Sequence, residues 1–76
     1  MKERFQFTEP FFEMHGNREL LIEGRGVLTE YSSKLIAVAL RRCTVTIEGE
    51  GLGLGAMNEE RLSIIGRILN IRYEEK

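Results

Sequence analysis

The residues with the clearest chemical potential are the glycines of the stretch GEGLGLGAM, residues 49–57. From Gly51 to Ala56 they spell G-x-G-x-x-A, one form of the turn that holds the pyrophosphate of a dinucleotide. That turn requires a helix directly after the glycines, because the helix N-terminus binds the phosphate. Here a strand pattern begins at Leu62 instead, and no G-K-[ST] follows the glycines. We therefore predict no phosphate site in this stretch and no cofactor.

Alternation within the same stretch predicts a bare surface. Leu52 and Leu54 are expected to point toward the core, which leaves Gly51, Gly53 and Gly55 as an opposite face without side chains. Such a face lets another backbone or an aromatic ring approach closely. We predict that these three glycines are the candidate interaction face, with a neighbour from the same chain or from a partner.

One cysteine and one histidine, Cys43 and His15, are the only candidates for a nucleophile and its base. Cys43 shares the alternation of Val45 and Ile47, which predicts a thiol that faces the core. A catalytic thiol needs a partly exposed, electropositive setting, and His15 beside a Gly-Asn turn is expected at the surface. One cysteine and one histidine also cannot complete a structural zinc site. We predict no catalytic residue, no metal site and no enzyme.

Paired carboxylates and a phenylalanine cluster are the remaining candidates. Glu48 and Glu50 have no sugar-binding aromatic platform beside them, so we interpret them as solvated charges that keep strand edges apart. Phenylalanines near the N-terminus, with dispersed arginines, would suit a small β-barrel that binds single-stranded nucleic acid. This is the alternative function. The cluster comprises Phe5, Phe7, Phe11 and Phe12.

The charge balance argues against that alternative. Eleven basic and twelve acidic side chains leave a net charge of −1, which provides no field to attract nucleic acid or an anionic membrane. Packing in a core or an interface is the more ordinary role of phenylalanines in so small a domain. No nucleic-acid partner is expected.

The elements that must position these residues are strands, because apolar residues recur with period two rather than 3.6. The run Leu35–Leu40 is apolar on both faces, and its length favours a covered strand over a short buried helix. Glycine follows three alternating runs, at Gly24, Gly49 and Gly66, and predicts bent strands that end there. The alternating runs are residues 5–7, 20–22, 45–47, 62–64 and 69–73.

We therefore predict an all-β fold, a small antiparallel sandwich or roll of seven to nine short strands with glycine-ended bends. Residues 1–76 are expected to form a single domain, with 1–9 as a flexible or edge segment. The predicted core comprises Leu20, Ile22, Val27, Leu35, Val38, Val45, Ile47, Leu52, Leu54, Leu62, Ile64, Leu69 and Ile71.

Chain length and hydropathy bear on assembly and location. With 76 residues, the chain buries only about 60% of its unfolded surface, and no disulfide or metal adds stability. A homo-oligomer is therefore expected. No run of 18 apolar residues is present, and the N-terminus lacks the apolar stretch of a signal peptide. These features predict a cytoplasmic protein.

An ordered series of short motifs covers residues 10 to 73. It contains GNREL at 16–20, V-x-I-x-G-x-G-L at 45–52 and L-x-I-x-G-x-I-x-x-I at 62–71. The series resembles the YabP/YqfC family of sporulation proteins, and its YqfC branch in particular. Two features depart from the family: Arg41-Arg42 replaces a turn that often contains glycine, and Gly53 and Gly55 replace bulky or polar residues.

The resemblance implies a small protein of endospore-forming bacteria, made in the mother cell, with no catalytic motif and no small-molecule substrate. It also implies a membrane-bound sporulation protein as partner. The protein would then be cytoplasmic and peripheral to a membrane through that partner.

Overall fold

The computed structural model describes residues 10–76, which fold into one antiparallel sheet of six strands without a helix. The order in the sheet is β1-β2-β6-β5-β4-β3. The predicted all-β, antiparallel fold is confirmed, whereas the predictions for residues 1–9 lie outside the described residues. The strands are β1 (Phe11–His15), β2 (Glu19–Glu23), β3 (Gly26–Tyr31), β4 (Leu35–Leu40), β5 (Cys43–Met57) and β6 (Arg61–Glu75).

Short polar turns connect these strands. Residues 41–42 alone join β4 to β5. Before β4, the Oγ of Ser32 accepts a hydrogen bond from the backbone N–H of Leu35 at 3.0 Å. Before β6, the Oδ1 of Asn58 accepts one from the N–H of Glu60 at 2.8 Å. Each polar side chain thus satisfies a backbone donor that the ladder leaves unpaired, and this fixes the turn.

The hairpin of β5 and β6, with 15 residues in each strand, is the frame of the sheet. The sequence predicted strands that end at Gly49 and Gly66, but both strands continue through these glycines. The pairing shifts register after Glu48 and again between Glu50 and Gly53, so the glycines mark bulges inside the ladder. Each long strand therefore replaces two predicted short ones. The prediction of seven to nine strands in a sandwich or roll is not confirmed.

Each long strand has neighbours on both sides along only part of its length. In β6, residues 61–65 pair with β2, and the pairing is extended by the N–H of Ile68, which donates to the carbonyl of Asn17 at 2.8 Å. In β5, residues 44–48 pair with β4. Among residues 10–76, residues 53–57 of β5 and 69–72 of β6 thus have a neighbouring strand on one side only.

One hydrophobic cluster contains residues from both strands of the long hairpin. Its most buried members, Ile36, Cys43, Ile47 and Ile64, have no exposed surface, at 0% each. The predicted core positions that are confirmed as buried are Leu20, Ile22, Val38, Val45, Ile47, Leu52, Leu62 and Ile64. The buried positions that the prediction omitted are Ile36, Ala37, Leu40 and Ile68, together with Cys43, whose core-facing thiol was predicted.

Three predicted core residues are wrong. Val27 is 64% exposed because it lies opposite Ala39 on the face of the sheet away from its neighbour Leu28, which packs against the core. Leu69 and Ile71 are 57% and 39% exposed because they lie on the part of β6 with one neighbouring strand. Two others, Leu35 and Leu54, are only half-buried.

Candidate interaction surface

The predicted glycine face lies in the second part of β5, beyond the bulges. Leu52 is 6% exposed, and Leu54 is half-buried against the core, so both leucines point inward as the alternation predicts. Gly51 and Gly55 are exposed and Gly53 is half-buried. The three glycines are therefore placed opposite the leucines, and their role as an interface stays a prediction.

Gly51 has a backbone role that the sequence did not reveal. Its φ of +61° lies in the left-handed region, which side chains disfavour. The bulge that it forms places its carbonyl oxygen against Gly66 of the paired strand, where a Cβ would lie 2.6 Å from that oxygen. Gly51 thus shapes the hairpin, and the side-chain-free surface is formed by Gly53 and Gly55.

Open space next to Gly53 and close packing next to Gly55 distinguish the two remaining glycines. A Cβ on Gly53 would meet only the hydroxyl of Tyr31, 4.0 Å away. A Cβ on Gly55 would lie 3.0 Å from the Oγ of Ser63 and 3.2 Å from the Cγ2 of Ile65. The absent side chain at Gly55 leaves Ile65 43% exposed, while Ser63 beside it is buried at 5% and donates a hydrogen bond to Glu19.

The backbone of the same segment is an open sheet edge, which we call the glycine edge (residues 53–57). The N–H of Leu52 donates to the carbonyl of Ser33 at 2.8 Å. Beyond that bond, no strand of the described part of the chain pairs with the second side of residues 53–57. Such an edge can add an extended strand through backbone hydrogen bonds.

Exposed apolar side chains flank the glycine edge. Met57 is 63% exposed and lies opposite Leu62, and Tyr31 is 57% exposed at the end of β3. The sequence places Met57 two residues after Gly55, but it does not place Tyr31 beside the glycines, because β3 and β5 are not neighbours in the strand order. No pattern in the linear sequence signals the proximity of Tyr31.

Charges surround this surface without entering it. Glu48 and Glu50 form ion pairs across the hairpin with Arg72 at 3.8 Å and Arg67 at 3.3 Å. These pairs are exposed and contribute little to stability, in agreement with the interpretation of both glutamates as solvated. Residues 51–58 contain no charged side chain, so the glycine edge lacks the charges that usually prevent strands from pairing.

The two residues considered for nucleophilic catalysis lie in different environments. The thiol of Cys43 is buried in the core cluster, whereas the imidazole of His15 is exposed and 2.8 Å from the carboxylate of Glu13. In the described residues, no group of three or more histidine, cysteine, aspartate or glutamate side chains could hold a metal ion.

Burial predicts that the Cys43 thiol is unreactive until the structure opens. We expect iodoacetamide to modify Cys43 at least about a hundredfold more slowly in the native protein than in urea, because opening costs on the order of 3 kcal/mol. A Val27→Cys variant supplies an exposed reference thiol in the same molecule. Equal rates for the two thiols would contradict the burial of Cys43 and would revive the nucleophile hypothesis.

Phe11 and Phe12, the two phenylalanines of the predicted cluster that the structure describes, do not share one surface. Phe11 is opposite Glu23 and 48% exposed, whereas Phe12 is opposite the buried Ile22 and packs against the core. Adjacent residues of a strand point to opposite faces, so these two rings cannot stack neighbouring bases together. Residues 5–7 lie outside the described residues.

Comparisons with known proteins give one match. A family model described as the YabP family matches residues 9–76. No curated protein and no solved structure matches the chain. In the described residues, no helix is long and apolar enough to cross a membrane.

Proposed function

Because the chain belongs to the YabP family, we propose that it is a non-enzymatic sporulation protein of endospore-forming bacteria that acts through protein–protein contact. The proposed partner is a membrane-bound sporulation protein, met from the cytoplasm of the mother cell. The observation that carries the contact mechanism is the glycine edge, an uncharged strand edge beside two glycines and two exposed apolar side chains.

Strand addition is the mode of binding that this geometry favours. A partner strand along residues 53–57 would satisfy backbone groups that residues 10–76 leave without a neighbouring strand. Its side chains on one face would fill the space above Gly53, next to the hydroxyl of Tyr31. On the other face they would contact Met57, so alternate side chains of the partner would be selected for size.

The substitution Gly53→Val tests this surface with little risk to the fold. A Cβ at Gly53 has only one neighbour, 4.0 Å away, and the backbone there is not in the left-handed region. Valine also favours strands. We expect a thermal midpoint within a few degrees of the wild type and at least about tenfold weaker capture of the partner, a change of about 1.4 kcal/mol.

Thr46→Val is the matched control, because it introduces the same side chain in the part of β5 that lies between β4 and β6. It should capture the partner normally in pull-downs from sporulating cells. If Gly53→Val keeps both the fold and the capture, the glycine edge is not the binding surface. If wild-type pull-downs contain no membrane or coat protein, the contact mechanism itself is wrong.

The physiological part of the proposal has a separate test. Deletion of the gene should reduce the yield of heat-resistant spores, and reintroduction of the wild-type gene should restore it. A normal yield from the deletion strain would contradict a sporulation function without bearing on the fold.

The alternative function, binding of single-stranded nucleic acid, has no specific support in the described residues. Phe11 and Phe12 point to opposite faces, and Arg67 and Arg72 are paired with glutamates. Titration of a mixed-sequence oligonucleotide at low salt separates the two functions, because nucleic-acid binding is strongest there. A salt-dependent binding curve would favour the alternative.

A further inference from the structure

The second half of β6 presents an edge of a different kind. From Asn70 onward, β6 pairs with β5 in continuous register, with Ile71 opposite Ile47 and Glu75 opposite Cys43. Among residues 10–76, no strand lies along the second side of residues 69–72, which we call the β6 edge. Unlike the glycine edge, this segment contains no glycine and has no register shift after Asn70.

Apolar side chains on the β6 edge continue the hydrophobic core outward. Ile71 lies on the same face as Ile47, which is 0% exposed, but Ile71 itself is 39% exposed. Leu69 is 57% exposed. Next along the strand, the ring of Tyr73 meets Phe12 edge-on, with centroids 6.2 Å apart. The core is therefore open along this side of the molecule, next to a strand edge.

Apart from the bulge at Leu69, where the pairing steps from Asn70 to Ile68, the β6 edge lacks the usual protections against edge pairing. The other exposed edges are more interrupted: β3 has a register shift between Leu28 and Glu30, and the glycine edge follows two register shifts and contains a third, between Leu54 and Met57. Residues 68–73, ILNIRY, contain no proline, glycine or lysine and only one charge. A regular apolar edge of this kind is predisposed to pair with another strand.

We propose that the β6 edge is the interface of a homodimer, in which two copies pair antiparallel about a two-fold axis at Ile71. A two-fold axis makes the interface self-complementary, because each contact occurs twice. Ile71 then faces the partner's Ile71, and Leu69 faces the partner's Tyr73. The apolar strips of the two copies become continuous and cover the open side of both cores.

The polar residues select this register over its neighbours. With the axis at Ile71, residues 69–73 pair with one another, Asn70 faces the partner's Arg72 and no like charges are opposed. An axis at Arg72 would bring two arginines face to face, which is unfavourable for directly opposed strand residues. An axis at Asn70 would leave only residues 69–71 to pair, because the N–H of Ile68 already donates to the carbonyl of Asn17 at 2.8 Å.

The homodimer is independent of the proposed contact with a sporulation partner. The β6 edge and the glycine edge lie on different strands, so a variant of one leaves the other unchanged. Loss of capture by Gly53→Val therefore says nothing about the dimer, and a monomeric chain says nothing about the glycine edge.

Solution mass of the full chain is the first test. The chain has a mass of 8.8 kDa, so sedimentation equilibrium should give twice that value for the wild type at high micromolar concentration. Ile71→Lys should give the monomer mass with an unchanged far-ultraviolet spectrum, because two ammonium groups would face each other at the axis. Val27→Lys, on the exposed part of β3, should remain dimeric.

Cysteine substitution tests the position of the axis. Only a residue on the axis faces its own copy, and opposed strand residues have Cα atoms about 4.5–5.5 Å apart, within the range of a disulfide. Ile71→Cys should therefore form an intermolecular disulfide on mild oxidation, while Leu69→Cys should not. Three outcomes would overturn the proposal: a monomeric wild type, a dimer that survives Ile71→Lys, or equal cross-linking of the two cysteine variants.

Discussion

Replacement of Ile47 by aspartate should unfold the domain at room temperature. Ile47 is 0% exposed and belongs to the one cluster that contains residues from both long strands. Loss of its buried side chain costs about 1.5–3 kcal/mol, and a buried carboxylate without a partner adds several kcal/mol. The sum exceeds the roughly 3–5 kcal/mol that a core of this size supplies.

Val27→Asp is the informative control, because sequence and structure disagree about this position. The alternation of apolar residues predicts Val27 in the core, but it is 64% exposed on an edge strand. We expect a change in unfolding free energy within about 0.5 kcal/mol, as for other surface substitutions. Thermal and urea unfolding followed by circular dichroism would measure both variants. An unfolded Val27→Asp or a stable Ile47→Asp would contradict the assignment of faces.

The sequence predicts the core correctly where strands have neighbours on both sides. Leu20, Ile22, Val45 and Ile64 follow the period-two pattern and are fully or almost fully buried. The same pattern fails at Ile71, because alternation identifies the face of a strand but not whether another strand covers that face. Burial at an edge depends on strand order, which arises from long-range pairing and leaves no local signal.

The predicted number of strands is not confirmed, for a related reason. Gly49 and Gly66 look like strand ends in the sequence, since glycine weakens a strand interior. In the structure each glycine lies against the backbone of the other long strand: a Cβ at Gly49 would overlap the carbonyl of Arg67, and one at Gly66 would lie 2.6 Å from the carbonyl oxygen of Gly51. Only the partner strand shows whether the ladder stops at a glycine or resumes beyond a bulge.

The candidate site was predictable in part. Alternation correctly placed Leu52 inward and Gly53 outward, and the order of motifs identified the family. The left-handed backbone of Gly51 could not be predicted, because the sequence does not show which glycine of a repeat forms the bulge. The proximity of the Tyr31 hydroxyl to Gly53 also depends on the fold as a whole. The partner cannot be read from this surface, since strand addition uses backbone groups that all proteins share.

Gly66→Ala should destabilise the domain by more than about 4 kcal/mol, which is a large effect for a substitution that removes no contact. A Cβ at Gly66 would lie 2.6 Å from the carbonyl oxygen of Gly51 and 2.9 Å from the Cα of Leu52. Both neighbours are backbone atoms of the paired strand, so relief requires the two longest strands to separate. The φ of +132° at Gly66 adds strain for any residue with a Cβ.

Gly16→Ala measures the strain of a positive φ without a collision between the new Cβ and a neighbouring backbone. Gly16 also has a positive φ, +58°, but a Cβ there would have no atom within 4 Å. We expect this variant to lose only about 1–2 kcal/mol, the cost of a left-handed conformation. We therefore expect Gly16→Ala to unfold cooperatively in urea and Gly66→Ala to be largely unfolded without urea, because its loss matches the roughly 3–5 kcal/mol that a core of this size supplies. Circular dichroism along a urea titration measures both variants. Equal losses would mean that the backbones of Gly66 and Gly51 are not in close contact.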